Sequence, residues 1–290
     1  MADLNRTGFL PAQVAREILV RTQKGSAIMQ LAKRMTLPGT GASVPVVTAI
    51  PEAGWVGETG AKPVSTGSMT PKLMQAYKIA VIVPFSKELL RDAPALYDGL
   101  VEQLPEALAV AFDSTVIGAK AAPGSNFDQF VIGTDVAQSL TGSTGVYGGL
   151  LAAYNAIAPA GDMTGIAIGA VGKGKLLGAL DGQNRPIFLG SEIDGSIPRV
   201  LGAMTAVGHG IYKAATSGSG AQPQIVGLAG DFGQAVYGTV EGVQISVSDQ
   251  ATLKVGSDTI NLWQQNMVAV RAEIECGFRC NKNAFNLLTA

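Results

Sequence analysis

From Val268 to Cys280 the chain alternates with a period of two. Val268, Val270, Ala272, Ile274, Cys276, Phe278 and Cys280 share one face. Arg271, Glu273, Glu275 and Arg279 fall on the other. Successive strand side chains point to opposite faces, so the pattern predicts a strand buried on one side. A second alternation runs from Lys72 to Phe85: Leu73, Tyr77, Ile79, Val81, Val83 and Phe85 make an apolar face interrupted by Gln75. Lys72, Met74, Ala76, Lys78, Ala80 and Ile82 line its reverse. Pro94 then opens a long helix, a position where its missing N–H leaves no partner wanting. Leu96, Leu100, Leu104, Leu108 and Phe112 repeat every four residues, and Val101, Ala107, Ala111 and Val116 widen that stripe. Pro105 lies within the helix, and the unbroken stripe around it predicts a bend rather than an end.

The order of parts is informative: a turn-rich loop around Trp55-Val-Gly-Glu58, a long strand, the segment Phe85-Ser-Lys-Glu-Leu-Leu-Arg-Asp92, and a helix closing in Phe112-Asp-Ser-Thr-Val-Ile-Gly118. Gly230-Asp-Phe-Gly233, Asn266-Met-Val-Ala-Val-Arg271 and Ala284-Phe285 follow in sequence. Taken together, and over nearly the whole chain, this set resembles the major capsid protein of tailed bacteriophages with the HK97 fold. The resemblance implies an α+β fold with five parts. These are an N-terminal arm over 1–42, an extended β-hairpin loop over 43–84, a peripheral domain with a long spine helix over 85–145, an axial α/β domain over 146–240, and strands over 241–290 returning to both domains. It also implies a structural subunit with no enzymatic activity, which assembles with copies of itself as hexamers and pentamers into the icosahedral shell of a virion. An encapsulin-type compartment shell is the alternative within the same fold.

Composition agrees with a surface that ends against other subunits. Only 15% of the residues are charged and the mean hydropathy is +0.27, whereas surfaces that stay in water usually carry more charge. The net charge of −1 gives no basic field for tight nucleic-acid binding. Packaged DNA is therefore expected to be enclosed and only weakly bound. No signal peptide or membrane span is read, so synthesis and assembly are expected in the host cytoplasm, with no membrane partner. The arm starts almost at Met1, which suggests a separate scaffolding protein or none; a portal is a further expected partner.

Locally, Pro11 is expected to start a helix through about Arg21, broken by Gly25, with a second amphipathic piece through Ile28, Leu31, Ala32 and Met35. In the resembled family this arm lies across neighbours. Val44–Thr48 reads as the outgoing strand of the hairpin and Lys72–Val83 as the returning one. A lone hairpin of that length is marginal in water, so the residues from about Pro51 to Pro71 are expected to order only against a neighbour. Beyond it the pattern predicts helices from Val146 to about Ala158 and over Lys173–Leu180, a strand at Gly165–Ile168, and a strand over Gly242–Val247 with Val243, Ile245 and Val247 inward. Ser217–Gly220 reads as a mobile tip.

Catalytic chemistry is not found. Gly169-Ala-Val-Gly-Lys-Gly174-Lys175-Leu176 nearly matches a phosphate-binding loop, but Leu176 stands where a magnesium-ligating hydroxyl is required. Cys276 and Cys280 are four apart on a strand, roughly 13 Å at ~3.3 Å per residue, too far to bridge each other. His209 is the only histidine, so no metal site or cofactor is expected. The candidates for contact between subunits are Trp55, Glu58, Lys62 and Lys72 in the loop region, and the acidic row Asp98, Glu102 and Glu106 at i, i+4 spacing on the long helix. Some shells of this fold join neighbours by Lys–Asn isopeptide bonds; Lys62 and Lys72 with Asn281 and Asn283 do not single out a pair, and none is expected.

Overall fold

The computed structural model describes residues 21–49, 54–56, 58, 62, 64, 68–88, 94–141, 145–181, 183–187, 199–218, 221–255 and 258–290. The expected helix from Pro11 lies outside them except for its last residues; residues 21–25 are helical. Most of the loop between Ala49 and Ser68 and part of the tip at Ser217–Gly220 also lie outside.

The alternating strand β14 (Met267–Cys280) is the axis of a five-stranded sheet. On one side it pairs antiparallel with β4 (Tyr77–Ser86), from Met267↔Ser86 to Cys276↔Tyr77. On the other it takes β11 (Gln244–Ser248) along Ala269–Glu273 and β10 (Ala235–Thr239) along Cys276–Cys280. The short strand β1 (Lys33–Thr36) adds in parallel to β10. The expected one-sided burial holds for the first part of β14, where Arg271 is exposed. It fails at the end: Gly277 is buried and Arg279 is only 7% exposed. The backbone of Gln75 covers Gly277 so closely that a Cβ there would meet Gln75 O at 2.6 Å.

That covering corrects the expected hairpin. The alternation from Lys72 is not one strand, because it breaks at Gln75–Ala76. The strand that returns to β2 (Ala42–Ala49) is β3 (Ser68–Met74), in register from Ala42↔Met74 to Ala49↔Ser68. Residues 77–86 leave the hairpin and join the five-stranded sheet. The period-two pattern runs through the break because both pieces are strands, so spacing alone does not reveal a change of partner.

The helix α2 (Pro94–Val116) runs through Pro105, which is buried. Leu104, Leu108, Phe112 and Val116 are buried as their spacing predicts, but Ala107 is exposed and Ala109 takes its place inside. A Schellman motif ends the helix: Gly118 N–H donates to Thr115 O (3.1 Å) and Ala119 N–H to Ser114 O (2.8 Å). Gly118 sits at φ +73°, and a Cβ there would meet Phe130 O at 2.3 Å.

A second sheet has six strands in the order β5 (Ala137–Ser139), β15 (Phe285–Thr289), β9 (Ile225–Gly230), β6 (Gly165–Ile168), β8 (Ala203–Val207) and β7 (Arg199–Val200). Helices α3 (Gly145–Ile157) and α4 (Ala170–Leu177) pack on it through Leu150, Ala153, Ile157 and Leu176. The helix expected over Lys173–Leu180 therefore begins and ends three residues earlier. A small hairpin, β12 (Thr252–Val255) with β13 (Asp258–Asn261), completes the strands. In β11, Val243 and Ile245 point inward as expected while Val247 is 49% exposed, because the edge of the sheet leaves it uncovered.

The described stretch just before the hairpin, from Ser26 to Leu37, contributes to the subunit's own core. Helix α1 (Ala27–Leu31) is shorter than expected, and Met35 lies in β1 instead. Ala27, Ile28 and Met29 are buried in the cluster that holds Phe112, Phe232, Phe278 and Phe285. Ser26 caps α1, its Oγ accepting from Met29 N–H and donating to Asp113 of α2 at 2.5 Å. Asp113 also accepts from Ala27 N–H at 2.9 Å and Ile28 N–H at 3.4 Å, and is fully buried. Gly208 and Gly210 lie against it; a Cβ on either would come within 2.7 Å of Asp113 atoms.

Burial pushes the Asp113 carboxyl up to about 7, outweighing the three hydrogen bonds that favour the charged form. Its folded value thus exceeds its unfolded 3.8, so the native subunit holds more protons between these limits. Stability contributed by this group is present at acid pH and is lost as pH rises towards 7, by up to about 1.4 kcal/mol per pH unit. Asp113→Asn cannot ionise. Urea unfolding of the unassembled subunit should show the parent losing stability from pH 5 to pH 7.5 and the variant losing much less. Equal slopes for the two would show that Asp113 does not titrate in this window.

Candidate functional site

Chemistry first. The near-match to a phosphate-binding loop is explained by packing. Gly169 caps α4, and a Cβ there would meet Ile211 O at 2.0 Å. At Gly172 it would meet Ile168 and Val226 O at 2.6 and 2.7 Å. These glycines bring α4 onto β6 and β9, which is a structural reason for the spacing that needs no nucleotide. Cys276 and Cys280 are free and buried; desolvation pushes Cys276 up to about 12 and Cys280 further still, the charge of Asp128 adding to the latter. Such thiols are inert at neutral pH. Among the described residues no group of His, Cys, Asp and Glu is placed to hold a metal, and no helix is long and apolar enough to cross a membrane.

The most built polar cluster lies at the root of the β2–β3 hairpin. Arg279 donates through Nε and Nη2 to Leu73 O (2.8 and 2.6 Å), through Nη2 to Asn126 Oδ1 (2.9 Å), and through Nη1 to Asp128 Oδ1 (2.9 Å). Lys72 reaches Asp128 Oδ2 at 3.3 Å and donates to Cys280 O at 2.9 Å. Cys280 N–H completes the set by donating to Asp128 Oδ2 at 3.0 Å. The Arg279 and Asp128 side chains are 8% and 10% exposed. Three separate pieces of chain meet here: the hairpin, the end of β14 and the loop after α2. A buried guanidinium with most of its donors used fixes direction as well as energy.

Beyond this root the described hairpin pairs with neither large sheet, and the described residues between its strands are exposed. Trp55 is 106% exposed and Val64 94%. Glu58 and Lys62 are exposed beside them. Elsewhere, Trp263 (72%) and Met204 (60%) leave large apolar side chains in solvent. Exposed apolar groups of this size mark interaction surfaces when they cluster.

The seven contact candidates thus separate. Trp55, Glu58 and Lys62 share the hairpin tip. Lys72 is at the root, bound within its own subunit. Glu106 is exposed on α2 with His209 Nε2 at 4.0 Å, and the side chains of Asp98 and Glu102 lie outside the described parts. Sequence reasoning missed Asp128, Asn126 and Arg279 as one cluster. Arg279 carried the only signal, as a charge near the end of an otherwise buried strand.

Comparison with known proteins agrees with this geometry. The model of the Phage capsid family matches residues 7–290. "Probable major capsid protein gp17" of Mycobacterium phage L5 is 33% identical, over 97% of this chain and 89% of that protein. A chain in a solved structure from Mycobacterium phage Ogopogo superposes with a TM-score of 0.74 at 20% identity, covering 92% of each. A chain in the capsid of a native GTA particle superposes at 0.62 and 13% identity, over all of this chain and 94% of that one. These two structural likenesses show the fold, and the family match with the mycobacteriophage relative shows the lineage. With an HK97-like fold and a family match over residues 7–290, the chain belongs to the Phage capsid family.

Proposed function

We propose that this chain is the major capsid subunit of a tailed phage, building from hexamers and pentamers the icosahedral shell around a double-stranded DNA genome. The carrying observation is the β2–β3 hairpin. It is anchored at its root by Asp128 and Arg279, pairs as a strand with neither large sheet, and carries an exposed Trp55 between its strands. A two-stranded ribbon does not hold itself in water, so its partner surface belongs to another copy. Low charge follows from the same need, since permanent interfaces resemble a core cut in two. The mycobacteriophage relative carries a capsid name, which favours a phage shell over an encapsulin-type compartment. Assembly takes place in the host cytoplasm, with a portal as a further partner. The net charge of −1 suits a wall that contains DNA without wrapping it.

Purified protein is expected to form shells, rings or tubes by electron microscopy, with scaffold or high concentration as the trigger. Amides near Trp55 and Val64 should gain hydrogen-exchange protection on assembly. A compact monomer at every concentration, with and without scaffold, would sink this reading.

The root cluster makes a second expectation. Asp128→Ala leaves Arg279 buried without its counter-ion, which costs about 3–5 kcal/mol. Urea unfolding of the subunit reads that loss, and exchange at Lys72–Gln75 should rise more than exchange in β9. A loss spread evenly over both sheets would mean the cluster supports the fold at large and not the hairpin.

Mature particles, boiled and reduced, should run as a single subunit band. Lys72 already serves Asp128 and Cys280 O, and Asn281 caps the turn before β15 while donating to Gln234. A ladder of multimers would contradict this.

A further inference from the structure

A cavity of about 330 Å³ opens between β4, α2 and the loop that follows α2. Its walls include Tyr77, Phe112, Thr115, Lys120 and Phe127. Three of these are aromatic and already set edge to face, Tyr77 against Phe127 at 6.4 Å and Phe112 against Phe127 at 6.1 Å between centroids. Thr115 Oγ1 gives its proton to Ala111 O at 2.8 Å, so its lone pairs remain to accept one. Lys120 is exposed. This is a site for a flat apolar group with one N–H donor and a negative charge nearby: aromatic rings prefer such edge contacts, and a buried indole N–H wants an acceptor.

The chain carries that group on the hairpin tip. Trp55 is completely exposed and Glu58, three residues on, is exposed too. In a single subunit the two features are held apart. The ladder from Ser43↔Leu73 to Ala49↔Ser68 spans about 20 Å at ~3.3 Å per residue. The cavity opens at the other end of it, where Tyr77 follows the root and Phe127 adjoins Asp128. Resting on the reading that copies of this chain assemble, we propose that Trp55 of one copy seats in the Tyr77–Phe112–Phe127 cavity of another, its indole N–H on Thr115 and Glu58 facing Lys120. The occupant is a second copy of this chain. Lys78, also at the rim, is held by Glu275 at 3.0 Å, which leaves Lys120 as the cation for Glu58. A Trp anchored in an aromatic pocket is the residue type that dominates interface energies.

The test puts photoreactive benzoyl-phenylalanine at position 55 and co-assembles that chain with nitrogen-15-labelled parent. Irradiation should give mixed-isotope peptides joining residue 55 to the segments 77–80 or 111–127. Links confined to one chain, or to any other segment, overturn the proposal. Independently, Trp263→Phe leaves Trp55 as the sole tryptophan, since the chain has two. Its emission should move to the blue on assembly, with acrylamide quenching falling several-fold. Particles that form normally while Trp55 keeps its free-subunit emission also overturn it. Lys120→Glu should slow assembly at least tenfold, and adding Glu58→Lys should restore most of the rate; no effect of the first change, or no rescue by the second, removes the charge pairing. A parent chain that forms no particles would instead contradict the assembly reading itself.

Discussion

The backbone ladder of β14 is the constraint from which the rest of the subunit follows. Its register with β4 sends Val268, Val270, Ala272 and Ile274 inward, under α2 and beside Phe85 and Ile245. A slip by one residue would bring Arg271, Glu273 and Glu275 into that core, at a cost far above the few kcal/mol by which a domain is stable. Because β14 pairs on both sides, it also sets β10 and β11, and β10 in turn sets β1. After Cys280 the chain turns through Asn281–Ala284 and enters the other sheet as β15, between β5 and β9. One continuous stretch therefore fixes the orientation of the second sheet's β15 from the first sheet.

The core is organised around that passage. Phe278 and Cys280 of β14 share a cluster with Phe285 and Leu287 of β15, with Phe112 of α2 and with Ile28 of α1. Phe127 and Phe232 fill the gaps by edge contacts at 6.1 and 5.2 Å with Phe112 and Phe285. Asp113 sits in this apolar setting as a deliberate exception, holding the start of α1 to α2 through Ser26 and two backbone amides. The polar groups are satisfied by hydrogen bonds and not by an opposing charge, which is why burial governs its proton affinity.

The hairpin obeys a different logic. Its ladder has one irregularity, between Val47 and Ala49, and outside its root the described backbone pairs with neither large sheet. At the root, Leu37, Val44 and Met74 form a small cluster packed against Met35 of β1 and Val236 of β10. Arg279 and Asp128 add a directional anchor to that small apolar contact. A subunit that spends a buried ion pair on aiming a ribbon, and leaves Trp55 bare at the end of it, is complete only in company.

Where one face of an element clearly meets water, its spacing went far towards placing it. The stripe Leu104–Leu108–Phe112 and the alternation Val268–Ile274 stand where periodicity puts them, as does the end of α2 at Gly118. The ordered set of segments was enough for the family and the fold. Tertiary structure decided what lacks a periodic signature. β9 and β15 are buried on both faces, so they show no alternation, and β1 is a strand only because β10 offers it an edge. The change of partner at Gln75, the covering of Arg279 and the meeting of Asn126, Asp128 and Lys72 join residues up to 208 positions apart. Periodicity reports how a segment divides between core and water. It carries nothing about which distant segment supplies the core, and the root of the hairpin is made of such distant pieces.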